Sequence, residues 1–335
     1  MSQSPKIAIV ITVKNEERLL KQNLLYHFGI GISHAFIYFD GTTDNGLDSI
    51  KQLNNISILN SVQSNQYADV VGLERFVENA EEHHTARQSL NTYDAMQKSK
   101  ALNFDWLISI DADELVYSGN DKPIGDFFSD LSDYDVIMLR PLEVVNRKLN
   151  YENVMKEEVL FKTQKNFSSK VDQIYFNVEN PYSKSKITSS FWLGHTMGKC
   201  ALNVQKDLIP HNVHRFKLKN SKTVNKVNRG FILHYHIYDF DDFIKKFKNF
   251  KNHPSSFLSG NDIGTLKSLW IKLVNDSQFT PEDLKEYYID NILFTDAKLS
   301  KLKKTRLFNI LSRKEKATVE ITLPSEILSK LEPKT

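Results

Sequence analysis

Trp106-Leu107-Ile108-Ser109-Ile110-Asp111-Ala112-Asp113-Glu114 sets a short apolar run directly against three carboxylates, and no other stretch limits more what this chain can become. An apolar run of that length reads as a buried strand. Acids that follow such a strand at the C-terminal edge of an open α/β sheet project into the crevice where ligands bind. Carboxylates placed there suit a hard divalent cation, which keeps several waters and completes its shell with phosphate oxygens. An isolated Asp-x-Asp is equally at home in a solvated turn, so the neighbouring elements decide.

Those neighbours alternate in type. Lys6 to Val13 is β-branched and almost continuously apolar, the pattern of a central strand buried on both faces. Lys14-Asn15-Glu16-Glu17 follows it, and Asn15 is a candidate N-cap for a helix with Leu19, Leu20, Leu24, Leu25 and Phe28 at helical spacing. Gly29 to Ser33 ends that helix, Ala35 to Phe39 forms a second strand, and Asp40-Gly41-Thr42-Thr43-Asp44-Asn45-Gly46 is a turn-rich loop. Ile56 to Leu59 reads as a third strand. A helix within Glu81 to Lys100, with Ala86, Leu90, Tyr93, Ala95 and Met96 inward, leads to Trp106. The alternation predicts an α/β fold with an open, mainly parallel sheet, right-handed crossovers and its polar loops on one edge.

The second half is less regular. Asp135 to Arg140 reads as a strand followed by Pro141-Leu142-Glu143, and Arg147 to Lys170 is polar and poorly periodic. Phe191 to Lys199 and Ile209 to Phe216 mix aromatic, glycine, proline and polar residues, as ligand-lining loops do. Gly230 to His236 has the alternation of a half-exposed strand. Asp239 caps a helix with an apolar stripe of Phe240, Phe243, Ile244, Phe247 and Phe250, and Thr280-Pro281 starts another.

A chain of 335 residues has room for a sizeable core, and 40% hydrophobic with 25% charged content is ordinary for a globular protein. A net charge of +3 does not argue for nucleic acid as a partner. Lys298, Lys301, Lys303, Lys304, Arg306 and Arg313 cluster near the C-terminus. This cluster reads as a solvated helix face, or as a patch for anionic lipid headgroups or an acidic glycan. Cys200, the single cysteine, excludes an intrachain disulfide. No signal-peptide pattern opens the chain, and no run of about 18 apolar residues occurs. The expectation is a cytoplasmic protein with peripheral membrane contact through the basic segment.

Three polar loops thus end three strands: Lys14 to Glu16, Asp40 to Asp44 and Asp111 to Glu114. Together they resemble the nucleotide-sugar motifs of family 2 type glycosyltransferases of GT-A fold, over roughly the first 140 residues. The second loop departs from that family's usual form at Gly41 and Thr43. The ordered set of Lys14-Asn15-Glu16, Asp111-Ala112-Asp113-Glu114, Gly198-Lys199 and His234-Tyr235-His236 before an aromatic-rich helix further resembles family 92-like enzymes.

The resemblance implies a GT-A domain over 1–255, with a nucleotide-sugar-binding half (1–140) and an acceptor-side half (141–255), and a helical extension over 256–335. It implies Mn²⁺ or Mg²⁺, a nucleotide-sugar donor with a UDP-sugar favoured, and a glycan or glycolipid acceptor in surface polysaccharide synthesis. Asp113 is the first candidate metal ligand, and Asp111 a ligand or ribose contact. His234 and His236 are candidate ligands or diphosphate contacts. Asp40, Asn15, Glu16 and Arg87 are candidate nucleoside contacts, with Gln88 beside them. Asp40 also reads as an Asx-turn and Arg87 as a surface residue. Lys199 would meet phosphate, assisted by His195, His211 or His214. For inverting transfer, the candidate bases are Glu114 and Glu143; Glu114 also reads as a structural carboxylate tied to backbone amides.

Three rivals share parts of this pattern. A nucleotidyltransferase would show a glycine-rich basic loop after the first strand, where Lys14-Asn15-Glu16-Glu17 stands. A two-metal phosphoesterase would use Asp111, Asp113, His234 and His236. A non-catalytic nucleotide- or glycan-binding module would keep its role without Asp113.

Overall fold

The computed structural model describes residues 4–119, 123–163, 192–220, 222–252, 254, 256, 258, 265–303 and 318–331. In chain order the first half contains β1 (Ile7–Val13), α1 (Glu17–Ile30), β2 (His34–Phe39), α2 (Gly46–Ile50), β3 (Ile56–Asn60), α3 (Glu74–Glu78), α4 (His84–Ala101), β4 (Trp106–Ile110), β5 (Glu114–Tyr117) and α5 (Ile124–Ser129). Then come β6 (Val136–Val144), α6 (Val154–Glu157), β7 (Leu160–Lys162), β8 (Lys199–Asn203), β9 (Leu208–Asn212), β10 (Arg215–Leu218) and β11 (Lys226–His234). The last part holds helices Phe240–Asn249, Thr265–Asn275, Pro281–Asn291, Asp296–Lys303 and Ser325–Leu328, and β12 (Thr318–Glu320). The chain forms two compact units: Met1–Pro141 with Thr196–His234 and Leu323–Thr335, and Leu142–His195 with Tyr235–Thr322.

The first unit is built on a sheet in which β3, β2, β1 and β4 run parallel. β8 lies antiparallel between β4 and β6, and the β5–β11 antiparallel pair joins at β6 through β11. β1 is central, as its unbroken apolar sequence demands: Ile7, Ala8, Ile9, Val10, Ile11 and Val13 are buried. α1 covers it with Leu20 and Leu24, each worth about 2 kcal/mol of burial. The helix stops where Gly31 turns left-handed at φ 105° and donates its N–H back to the last turn.

The antiparallel part differs from the sequence expectation in three places. β6 continues through Pro141 to Val144; Pro141 fits because it lies between the residues paired with β8 and those paired with β7. Ile209 to Phe216 is not a loop but most of the β9–β10 hairpin, whose alternation is masked by Pro210 and His211. Its turn is closed by Asn212, whose Oδ1 accepts the His214 N–H at 2.8 Å. β11 ends at His234, so His236 lies beyond the strand.

In the second unit, β7 pairs with the last residues of β6 and with β12. Helix Phe240–Asn249 is capped by Asp239, whose carboxylate accepts the Asp242 N–H at 2.9 Å. Its Phe243 and Phe247 pack with Trp270, Tyr288, Ile237 and Ile292. A capping box of Thr280 and Asp283 starts helix Pro281–Asn291. The basic segment is described only as far as Lys303; Lys304, Arg306 and Arg313 lie outside the described residues. Among the described residues no helix is long and apolar enough to cross a membrane.

Candidate active site

The loops after β1 and β2 are stitched together at the C-terminal ends of adjacent parallel strands. Asn15 is left-handed at φ 57°, which asparagine tolerates better than most residues. Its side-chain oxygen accepts from Thr43 N at 2.8 Å and Thr43 Oγ1 at 3.2 Å. Asn15 is therefore not the N-cap of α1. Glu16 holds that position without a side-chain cap, and the Glu17 N–H is met from the facing loop by Asp44 Oδ2 at 2.8 Å. A carboxylate at a helix start is favoured by the macrodipole.

Asp40, at the end of β2, is buried against Arg87 of α4. Arg87 Nε donates to Asp40 Oδ1 at 2.6 Å and Nη2 to Oδ2 at 2.9 Å. Nη1 reaches the carbonyls of Ala80 at 2.6 Å and Glu81 at 3.1 Å. The guanidinium thus ties the β2 loop to the segment entering α4.

The acidic loop follows β4, one strand from the Asn15 loop. Gln88 Nε2 donates to Asp111 Oδ1 at 2.6 Å, and Lys199 Nζ to Asp111 Oδ2 at 2.8 Å. Glu114 Oε2 accepts the Asp111 N–H at 2.8 Å and lies 3.5 Å from Lys199 Nζ. Sheet register brings these groups together: Cys200 pairs with Ser109, setting Lys199 beside the end of β4, and His234 pairs with Glu114 across β5 and β11. His234 Nε2 lies 3.5 Å from Asp113 Oδ2.

Gly198 is required for this arrangement. At φ 66°, an added Cβ would lie 2.1 Å from the Leu139 carbonyl oxygen. The same glycine's carbonyl meets His214 Nδ1 at 2.8 Å, so His214 braces the strand start that carries Lys199.

Burial dominates the electrostatics. It pushes the Glu114 carboxyl up to about 7 against the opposing pull of Lys199, with Asp111 adding to the rise. Burial alone would lower the Lys199 ammonium, but Asp111 and Glu114 outweigh it and hold its pKa above the usual value. His214 falls to about 4, first from burial and then from Lys199. The Cys200 thiol rises to about 12 through burial, which makes it an inert core residue.

The donor chemistry fits a divalent ion. Asp113 and His234 offer a carboxylate oxygen and an imidazole nitrogen within 4.8 Å of each other, as do Glu114 and His234. Oxygen ligands suit Mg²⁺ or Mn²⁺, and an imidazole inclines the set toward the transition metal. Asp111 differs, since Gln88 and Lys199 each hold one of its oxygens.

The remaining sequence candidates fall in the second unit or elsewhere in the first. Glu143 is fully buried; Oε1 accepts from Lys162 Nζ at 2.7 Å and from Leu193 N at 3.0 Å, and Oε2 from Gly194 N. His195 presents its carbonyl to Trp192 Nε1 at 3.3 Å. His236 Nδ1 stands 3.2 Å from Lys246 Nζ. In the first unit, the His211 carbonyl accepts from Arg75 at 2.5 Å.

Asn23 and His27 of α1 are not among the sequence candidates, yet the Asn23 amide reaches backbone carbonyls of the acidic loop and His27 the backbone of β5 that follows it. The available signal is two polar residues at an i, i+4 spacing inside the apolar face formed by Leu19, Leu20 and Leu24.

The chain is similar to several known proteins. A glycosyltransferase-like protein of Arabidopsis thaliana is 21% identical over 293 residues, covering 82% of this chain and 63% of the relative. A second glycosyltransferase-like protein of that plant is 26% identical over 227 residues, covering 66% of this chain and 42% of the relative. The chain thus spans 63% and 42% of the lengths of these two relatives. Among solved structures, glucosyl-3-phosphoglycerate synthase from Mycobacterium tuberculosis, in complex with Mn²⁺, UDP and glucosyl-3-phosphoglycerate, is 12% identical. It covers 69% of this chain and 72% of its own, with a TM-score of 0.31. HddC from Yersinia pseudotuberculosis is 10% identical, covers 73% of this chain and 99% of its own, and has a TM-score of 0.35. The model described as glycosyltransferase family 92 matches residues 12–262, and the chain belongs to that family.

Proposed function

We propose that this protein is a metal-dependent, inverting glycosyltransferase of GT-A type. It moves a sugar from a nucleotide-sugar donor, a UDP-sugar first, to a hydroxyl of a glycan or glycolipid in surface polysaccharide synthesis. The observation that carries the reading is the Asp113–His234 pair at the end of β4, beside the stitched loops of β1 and β2, in a family 92 chain. Asp113 and His234 would hold Mn²⁺ or Mg²⁺. When bound, the ion offsets the negative charge that develops on the departing diphosphate.

Asp111, oriented by Gln88 and Lys199, is the proposed contact for a ribose hydroxyl of the donor. Asn15, Glu16 and Asp40 shape the nucleoside side. Glu143 is engaged by an ammonium and two amides, which supports an anchoring role for it and leaves Glu114 as the proposed base. In the transfer step the acceptor hydroxyl gives its proton to that carboxylate. Its oxygen bonds to the anomeric carbon as the bond to the diphosphate breaks. The work is done at the cytoplasmic face, with the basic segment that begins at Lys298 in contact with anionic lipid.

A thermal-shift panel of UDP-, GDP-, CMP- and TDP-sugars with and without Mn²⁺ tests this reading. A Mn²⁺-dependent rise with a UDP-sugar, lost in Asp113→Asn, is expected. No metal-dependent rise with any nucleotide overturns it, and phosphate release from simple esters without sugar transfer would favour a phosphoesterase instead.

A further inference from the structure

Helix α1 grips the acidic loop through the polar residues on its inward face. The side-chain amide of Asn23 donates to Ala112 O at 3.0 Å and to Glu114 O at 2.7 Å. Both carbonyls that flank Asp113 therefore hang on one group. One turn on, His27 Nδ1 lies 2.8 Å from Asn23 O and 2.9 Å from Asn23 Oδ1, and its Nε2 accepts the Val116 N–H at 3.2 Å. These partners set the neutral tautomer with the proton on Nδ1. Tyr26 OH donates to Val116 O at 2.8 Å.

Asn23 and His27 are fully buried. Burying an amide and an imidazole where leucines would pack is costly unless every polar group finds a partner. Here the Asn23 amide meets backbone carbonyls of the loop that bears the acids, and His27 meets Asn23 and the Val116 N–H of β5. Both N–H groups of the Asn23 amide are used, one on each side of Asp113. Losing them frees the peptide groups that set the direction of the Asp113 carboxylate.

We infer that Asn23 is a positioning residue for the ion site: it fixes the backbone on both sides of Asp113 and so aims that carboxylate toward His234. His27 in turn orients the Asn23 amide. The inference rests on the reading of Asp113 and His234 as the ion-holding pair. A purely structural staple would instead change stability and leave ion affinity alone.

The test uses the full chain, its Asn23→Ala variant and a Tyr26→Phe control, which breaks a neighbouring α1–β5 bond farther from Asp113. Mn²⁺ affinity in the presence of UDP is read from free Mn²⁺ by electron paramagnetic resonance, beside the thermal midpoint and amide exchange over residues 111–116. Asn23→Ala is expected to weaken Mn²⁺ binding by about tenfold or more, as loss of groups that orient metal ligands does. It should also speed exchange in that segment. Tyr26→Phe should lower the midpoint and change Mn²⁺ affinity by less than about twofold. If Asn23→Ala does not fold, Asn23→Ser, which keeps one donor, should show an intermediate loss. Wild-type affinity in Asn23→Ala, or losses in both variants that merely follow their midpoints, overturns the inference alone. A wild-type chain that binds no Mn²⁺ overturns the ion-site reading and this inference with it.

Discussion

Lys199 and Asp111, 88 positions apart in sequence, meet at 2.8 Å, with the lysine 1% exposed and the aspartate side chain 35% exposed. A cation buried this deeply is tolerated because Asp111 and Glu114 both face it. Lys199→Met should therefore cost more than a surface ion pair, about 3 kcal/mol at the low end for breaking a buried pair, given the exposure of Asp111. Urea unfolding at neutral pH measures it. A loss under about 1 kcal/mol, the range of surface pairs, would mean that the two acids do not need their counter-ion.

His27 makes the fold acid-sensitive. Burial lowers its pKa from 6.5 to about 4, because the packed form is the neutral imidazole. The unfolded chain takes up the proton first as pH falls below 6.5, so between 6.5 and 4 it binds more protons than the native state. Stability therefore falls with falling pH across that window and levels off below it. The effect approaches about 3 kcal/mol for this one group. His214, lowered to about 4, acts with the same sign. Urea midpoints from pH 7 to 4.5 should fall less steeply in His27→Gln than in the wild type, and equal slopes would remove His27 as the source.

Two glycines with similar backbone angles should answer alanine differently. Gly198 at φ 66° would place a Cβ 2.1 Å from the Leu139 carbonyl oxygen, whereas Gly41 at φ 69° has nothing within 4 Å. Gly41→Ala carries only the left-handed backbone cost, about 1 kcal/mol. Gly198→Ala adds a backbone clash between β6 and the start of β8, and should lose about 4 kcal/mol or fail to fold. Thermal midpoints compare the two, and equal shifts would refute the steric account.

The paired contacts of Arg87 with Asp40 should couple energetically. A double-mutant cycle of Asp40→Asn and Arg87→Ala, read by unfolding, is expected to give about 2 kcal/mol of interaction, as a two-pronged, partly buried ion pair does. Additive effects would show that loop order here does not depend on the pair.

Much of the first unit is legible in the residues themselves. β1, α1, β2, β3, α4 and β4 follow from local periodicity, because a buried strand and an amphipathic helix each print their pattern within a few residues. The acids after β4 fall at a strand end for the same reason. Where proline and histidine interrupt the alternation, as at Pro210 and His211, the pattern fails and the β9–β10 hairpin reads as a loop. Asn15 reads locally as a cap, but its left-handed turn is set by Thr43 in another loop.

By itself, then, the sequence determined the types of the elements from β1 to β3 and of α4 and β4, the order of the three polar loops and the kind of chemistry their carboxylates suit. Only the tertiary structure decided which groups meet. Lys199 reaches Asp111 through the β4–β8 register, His234 faces Asp113 through the β5–β11 register, and Asn23 grips the loop through the docking of α1. Each of these contacts joins residues about 90 or more positions apart. Helix and strand periods extend over a few residues, whereas strand register and helix docking are set by the fit of the whole core.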